Sequence, residues 1–145
     1  MNNKFTENFL ELCESNGLNQ TKLAEAIGVN QSQISRYLQG IIPNTETIVK
    51  ICDFFGCSID YIIGLNGELR YKHLSKGYNR NAFYKNYSKL LEQNNSTHYQ
   101  LAKKKVVCET SLRLWKIGTL PKFEVICNIA YELGGSVDEL LGRIN

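Results

Sequence analysis

The feature that most constrains this chain is an internal repeat, because its two halves align without a gap. Phe5 pairs with Phe83 (83 − 5 = 78), and Leu23 pairs with Leu101 at the same offset. Other pairs at this offset are Gly40 and Gly118, Pro43 and Pro121, Ile48 and Ile126, Ser58 and Ser136, and Gly64 and Gly142. Core and turn residues that keep one register over half a chain indicate two copies of one structural unit.

Apolar residues recur at three- and four-residue spacing along both halves, which favours α-helices. In the first half we predict five helices: about Lys4–Ser15, Gln20–Ile27, Gln31–Leu38 after an Asn30 cap, a fourth that starts at Asn44 or Thr45 and stops at Gly56, and Ile59–Ile63. The repeat extends this plan to the second half. We therefore predict an all-α fold of two tandem five-helix domains, residues 1–65 and 79–145, joined by a basic linker, residues 66–78.

The net charge of +3 hides a segregation along the chain. Residues 1–69 carry 4 − 8 = −4, residues 70–105 carry 9 − 1 = +8, and residues 106–145 carry 4 − 5 = −1. Arg70 and Lys72 of the linker alternate with Tyr71 and Tyr78. Such a segment suits a phosphate backbone, whereas the alternative is that the rings pack between the domains and the charges stay in water.

Several functional classes find no support in the sequence. Five cysteines without a CxxC pair argue against a metal site or a disulfide framework. No P-loop, dinucleotide fingerprint or nucleophile elbow occurs, so we expect neither an enzyme nor a cofactor. Asp60 and Asp138 each follow a helix-capping serine, where an acid stabilises the helix start. No apolar run is long enough to span a membrane or to direct secretion, so we expect a cytoplasmic protein.

The segment NQTKLAEAIGVNQSQISRYLQG, residues 19–40, predicts two short helices joined by a tight turn at Gly28. Asn30 and Gln33 form a capping-box pattern at the start of the second helix. Its inward positions are Ile34, Tyr37 and Leu38, and its outward positions are Gln31, Ser32, Ser35 and Arg36. Glutamine, serine and arginine on an exposed helix face suit base edges in the DNA major groove.

This segment, followed by P-x4-I-x2-I-C-x2-F-G-C-S-I-D-Y-I-I-G, resembles the lambda-repressor-like (Cro/Xre-type) helix-turn-helix family over residues 4–65. The closing segment, residues 121–142, is similar to the last helices of the same family. The resemblance implies DNA base contacts by Gln31, Ser32 and Arg36, with Gln33 and Ser35 nearby. It implies phosphate contacts by Gln20, which also braces the first recognition residue, by Gln39, and by the helix start at Asn44 and Thr45.

The second half departs from this pattern at the recognition helix. Glu109 replaces Gln31, Leu114 replaces Arg36, and Lys105-Val106 replaces Ile27-Gly28 at the turn. The polar candidates left on the second recognition helix are Thr110, Ser111 and Arg113, and Lys103, Lys104 and Lys105 are predicted phosphate contacts. Leu114 and Trp115 offer an apolar face that suits a protein target.

The sequence thus predicts a double-stranded DNA-binding transcriptional regulator, and within that class a repressor. The protein acts either as a monomer that spans adjacent half-sites or as a homodimer joined through its second copy. The alternative is a protein-binding inhibitor on the same scaffold, of the phage anti-CRISPR or other anti-defence type. Salt separates the two, since DNA binding weakens steeply with salt and an apolar protein interface does not.

Overall fold

The computed structural model describes residues 3–65 and 74–144, which form two compact units. The first unit (residues 3–65) contains α1 Phe5–Ser15, α2 Gln20–Ile27, α3 Gln31–Leu38, α4 Thr45–Phe55 and α5 Ile59–Ile62. The second unit (residues 74–144) contains a 3-10 helix Arg80–Ala82, α6 Phe83–Gln93, α7 His98–Lys103, α8 Ser111–Lys116, α9 Phe123–Glu132 and α10 Val137–Leu140. Within the described ranges no strand forms, apart from one isolated antiparallel bridge between Leu74 and Ile144. The all-α prediction is confirmed for these residues.

Local capping fixes where the helices of the first unit begin. The side chains of Asn19, Asn44 and Ser58 accept hydrogen bonds from the backbone N–H groups of Lys22, Thr47 and Tyr61, respectively. Each bond satisfies a donor that the first helical turn leaves without an intrahelical partner. The five predicted helices all occur, although α1 begins one residue later and α5 ends one residue earlier than expected.

Aromatic and aliphatic side chains from α1, α3 and α4 fill the core of the first unit. Phe5 and Phe9 stack with ring centres 5.2 Å apart, and Tyr37 meets the Phe9 ring edge-on at 6.5 Å. Ile34 of α3 and Ile48 of α4 are fully buried. The inward face of α3 is therefore anchored, which fixes the direction of its outward face.

The core of the second unit is built around a ring cluster of Phe83, Tyr87, His98 and Trp115. The Trp115 ring lies 5.2 Å from that of Tyr87 and 5.3 Å from that of His98. His98 Nε2 lies 3.0 Å from the Cys108 carbonyl oxygen, so it donates, and Nδ1 accepts from the Tyr87 hydroxyl at 2.8 Å. Burial raises the pKa of the Tyr87 phenol well above its ordinary value.

The connection between the second and third helices differs between the units. In the first unit residues 28–30 join α2 to α3, whereas in the second unit residues 104–110 join α7 to α8. Gly28 makes the first turn in the left-handed conformation (φ 73°), and the non-glycine Lys105 makes the second (φ 63°). The second half thus keeps a left-handed corner without its glycine. Its connection is four residues longer, because α7 ends two residues earlier and α8 begins two residues later than the 78-residue offset predicts.

The predicted linker, residues 66–78, extends too far at its C-terminal end. The Ser75 N–H donates to the Arg143 carbonyl oxygen at 2.6 Å, and the Asn79 N–H donates to the Leu141 carbonyl oxygen at 2.8 Å. The buried Arg143 side chain also donates to the Gly77 carbonyl oxygen at 2.8 Å and pairs with the buried Asp138 carboxylate at 2.9 Å. Residues 74–78 therefore belong to the second unit, and Asp138 is part of a buried ion pair as well as a helix start.

Candidate nucleic-acid interface

The α2–turn–α3 segment of the first unit presents one helix face to solvent. The turn has three residues, and the Gln33 carboxamide oxygen accepts from the Asn30 N–H at 2.9 Å, which closes the start of α3. Because Ile34 and Tyr37 point into the core, the opposite side of α3 is turned outward. Gln31, Ser32 and Arg36 are exposed there, and Ser35 is half-buried beside them.

The five predicted base-contacting residues differ in what their side chains already do. Ser32 and Arg36 are exposed, and an arginine in this setting can bind both acceptors of a guanine. The Gln31 carboxamide oxygen accepts from the Thr21 hydroxyl at 3.3 Å, which leaves its NH₂ group outward. Gln33 differs from these three residues, because it is half-buried and its oxygen accepts from the Asn30 N–H in the helix cap.

Thr21 is the residue that sequence reasoning missed at this surface. The family resemblance assigned the bracing of the first recognition residue to Gln20, but the hydroxyl that reaches Gln31 belongs to Thr21. Gln20 is half-buried at the first position of α2. The contact crosses the turn between α2 and α3, so no local pattern in the sequence marks it.

The residues predicted to contact phosphates around α3 and α4 also differ in their exposure and in their hydrogen bonds. Gln39 is exposed, and its NH₂ group donates to the Ser35 hydroxyl at 3.3 Å. The Asn44 side chain caps α4 by accepting from the Thr47 N–H at 2.9 Å. The Thr45 side chain is buried, so the predicted phosphate contact at this helix start depends on the backbone N–H groups of its first turn, as the resemblance implies.

Three lysines of the second unit were predicted to contact phosphates, and all three are exposed. Lys103 Nζ lies 5.3 Å from the centre of the Tyr99 ring, and Lys104 Nζ pairs with the Glu132 carboxylate at 2.9 Å. Lys105 makes the left-handed corner. The other two predicted phosphate contacts, Arg70 and Lys72, lie outside the described residues.

The predicted second recognition helix, α8, is two residues shorter than α3 and begins two residues later than the 78-residue offset predicts. Thr110 is its N-terminal capping residue, Ser111 is half-buried, and Arg113 is exposed. Leu114 is 44% exposed, but Trp115 is only 5% exposed because it packs in the ring cluster with Phe83, Tyr87 and His98. A protein-binding face that includes Trp115 is therefore wrong.

The charge of the two units is opposite. Residues 3–65 carry 4 − 7 = −3, and residues 74–144 carry 11 − 6 = +5. The predicted base-reading face of α3 thus lies on the acidic unit, with Arg36 as its cation. The excess of positive charge, which phosphate neutralisation needs, lies on the second unit.

The described residues contain no group of three or more His, Cys, Asp or Glu side chains that is placed to hold a metal ion. Cys13, Cys52, Cys57 and Cys127 are buried, and burial raises the pKa of Cys13 to about 11. Cys108 is exposed, and a hydrogen bond with the Thr110 hydroxyl lowers its pKa. None of the described helices is long and apolar enough to cross a membrane.

A comparison with known protein families finds one match in the part of the chain that carries this surface. The helix-turn-helix family HTH_3 matches residues 10–62, which include α2, the turn and α3. No curated protein matches the chain. A transcriptional regulator from Listeria innocua is similar in structure, with 23% sequence identity, a TM-score of 0.42, and coverage of 79% of this chain and 97% of that one. The helix-turn-helix match supports a DNA-binding regulator, a class that is typically non-enzymatic.

Proposed function

We propose that this chain is a sequence-specific, double-stranded DNA-binding transcriptional regulator that acts as a repressor. The observation that carries the proposal is the face of α3, where Gln31, Ser32 and Arg36 stay exposed while Ile34 and Tyr37 anchor the helix. An anchored helix with this outward chemistry is suited to insertion into the major groove. Base reading then falls to the NH₂ group of Gln31, the Ser32 hydroxyl and the Arg36 guanidinium, with Ser35 at the edge of the contact.

The two units divide the work in this proposal. The first unit reads bases but carries a net charge of −3, so backbone affinity comes from cations elsewhere. Lys103, Lys104 and Lys105 supply it, together with Arg70 and Lys72 of the segment between the units. The ion pair between Lys104 and Glu132 is exposed, and exposed pairs exchange for a phosphate at little cost.

The second unit is proposed as a divergent copy of the first that does not read bases. Its seven-residue connection and its late helix start place Thr110, Ser111 and Arg113 differently from the residues they would match on α3. Each chain then has one base-reading helix, so an operator with two half-sites requires two chains. Their two α3 helices, about 34–36 Å apart, contact successive major grooves. No specific observation favours the alternative of a protein-binding inhibitor, since the apolar face proposed for it loses Trp115 to the core.

Selection of bound sequences from random duplex DNA tests the assignment of base contacts. We expect an enriched palindrome or direct repeat for the native chain. Gln31→Ala should relax the preference at one base of each half-site and cost roughly 1–3 kcal/mol of binding free energy. Gln33→Ala is the matched control on the same helix: it removes a cap, so it should lower stability without changing the selected sequence.

The salt dependence of binding tests the division of work. Binding should weaken log-linearly with salt, with a slope near −0.9 per phosphate contacted. Changing Lys103, Lys104 and Lys105 to alanine together should reduce that slope and weaken all sequences alike. If this triple variant alters base preference, or if Gln31→Ala alters only the salt slope, the proposed division of work is wrong.

A further inference from the structure

The second unit contains an open cavity of about 810 Å³ beneath the long connection between α7 and α8. Its apolar wall includes Val106, Val107, Trp115 and Val125. Small-molecule sites in proteins have volumes of roughly 300–1,000 Å³ and apolar walls with a few polar groups. The size and wall of this cavity fit that class.

Three residues of the cavity wall are larger or more positively charged than their counterparts in the first unit. At the 78-residue offset, Tyr99 stands where the first unit has Thr21, Lys105 where it has Ile27, and Lys122 where it has Asn44. Ile27 is a buried core residue of the first unit. Its counterpart in the second unit, Lys105, is exposed, and so is the preceding residue, Lys104. The second unit has thus lost an apolar side chain from the end of its second helix and gained a ring and two cations at the cavity wall.

The charged residues that line the cavity determine whether an anionic or a cationic ligand is favoured. Lys103, Lys105 and Lys122 line the cavity against one acid, Glu109. Lys103 already lies over the Tyr99 ring, which leaves the other two lysines as the ammonium groups for an incoming charge. An anion is therefore attracted and a cation repelled. An apolar wall with two aromatic rings suits the body of a flat, apolar molecule.

We propose that this cavity is a binding site for a small aromatic carboxylate, held by Lys105 and Lys122 at its charged end and by the Val106, Trp115 and Val125 side chains at its apolar end. Binding does not require DNA. The proposal is therefore independent of the base-reading role of α3 and is tested without any oligonucleotide.

Trp115 provides a local readout, because it is the single tryptophan of the chain and lies in the cavity wall. Its indole N–H gives one cross-peak in a ¹H–¹⁵N spectrum of the full chain. We expect 1-naphthoate to shift this peak saturably. The uncharged isostere 1-naphthamide should bind at least about threefold more weakly, since exposed charge pairs contribute modestly. The rest of the spectrum reports whether the chain stays folded.

Paired variants test the two ends of the site. Lys105→Gln with Lys122→Gln should weaken 1-naphthoate binding about three- to tenfold and leave 1-naphthamide unchanged. Lys85→Gln with Lys89→Gln, which removes the same charge from α6 away from the wall, should change neither. Glu109→Gln should tighten 1-naphthoate binding, and Ala102→Phe, which fills the cavity, should abolish it.

Three results would overturn the proposal. The first is an unshifted indole peak at millimolar 1-naphthoate with the native chain. The second is equal binding of the acid and the amide. The third is equal loss of binding in the Lys105/Lys122 and Lys85/Lys89 variants. All three leave the DNA-binding proposal untouched, because none of these measurements contains DNA.

Discussion

A single substitution in the buried ion pair of the second unit should have a large effect on the stability of this unit. Arg143 and Asp138 are both fully buried, with 2.9 Å between Arg143 Nε and Asp138 Oδ1. Arg143→Met keeps much of the side-chain volume but leaves the Asp138 carboxylate without this cation in the core. Removal of one partner of a buried pair costs about 3–5 kcal/mol, since the remaining charge stays desolvated.

This loss is large for a unit of this size. A domain of about 70 residues has a free energy of unfolding of roughly 4–10 kcal/mol, so Arg143→Met should bring the second unit close to its unfolding threshold. Urea denaturation followed by Trp115 fluorescence measures the change, because Trp115 is 5% exposed in the fold and reports on this unit. The transition midpoint should fall sharply, while the slope of free energy against urea stays the same.

A double-mutant cycle decides whether the pair itself is responsible. Asp138→Asn alone should be strongly destabilising because it leaves the Arg143 charge buried. The double variant, which buries no charge, should cost clearly less than the two single losses added together. Single losses below about 1 kcal/mol, or strict additivity, would show that this ion pair does not stabilise the second unit.

Three further predictions concern local features. Lys105→Gly should stabilise the second unit by about 1 kcal/mol in the same urea assay because glycine relieves the left-handed strain, whereas Lys104→Gly, at φ −80°, should destabilise it. Asn44→Ala should lower the stability of the first unit by about 1 kcal/mol through loss of the α4 cap, as read by the thermal midpoint in circular dichroism. Cys108 should be the one fast-reacting thiol toward iodoacetamide in the folded chain; because its pKa is lowered, its rate should stay high as pH falls toward neutrality, and Thr110→Val should slow it.

The first unit was predictable because its signals are local. The capping asparagines and serine precede apolar stripes of helical spacing, and Gly28 and Gly56 mark the helix ends where left-handed residues occur. These signals act within a few residues of where they stand. Helix bounds in this half therefore matched to within one residue.

The second unit was less predictable because its distinctive features are tertiary. A lysine in the left-handed conformation carries no sequence signature, so the longer connection after Lys105 was not foreseen. Arginine side chains are mostly exposed in proteins, yet the fold buries Arg143 against Asp138. Trp115 was assigned to a surface although the 78-residue offset pairs it with the buried Tyr37.

We propose that the outward face of α3 reads base edges and that the second unit does not. The most direct measurement is the ratio of dissociation constants for scrambled and selected duplex DNA, taken at one salt concentration for the native chain, Arg36→Ala and Arg113→Ala. These two variants remove the same exposed charge from α3 and from α8. We expect Arg36→Ala to lower the ratio about 5- to 150-fold and Arg113→Ala to leave it unchanged. An equal fall for both variants, or a fall for Arg113→Ala alone, would contradict this proposal.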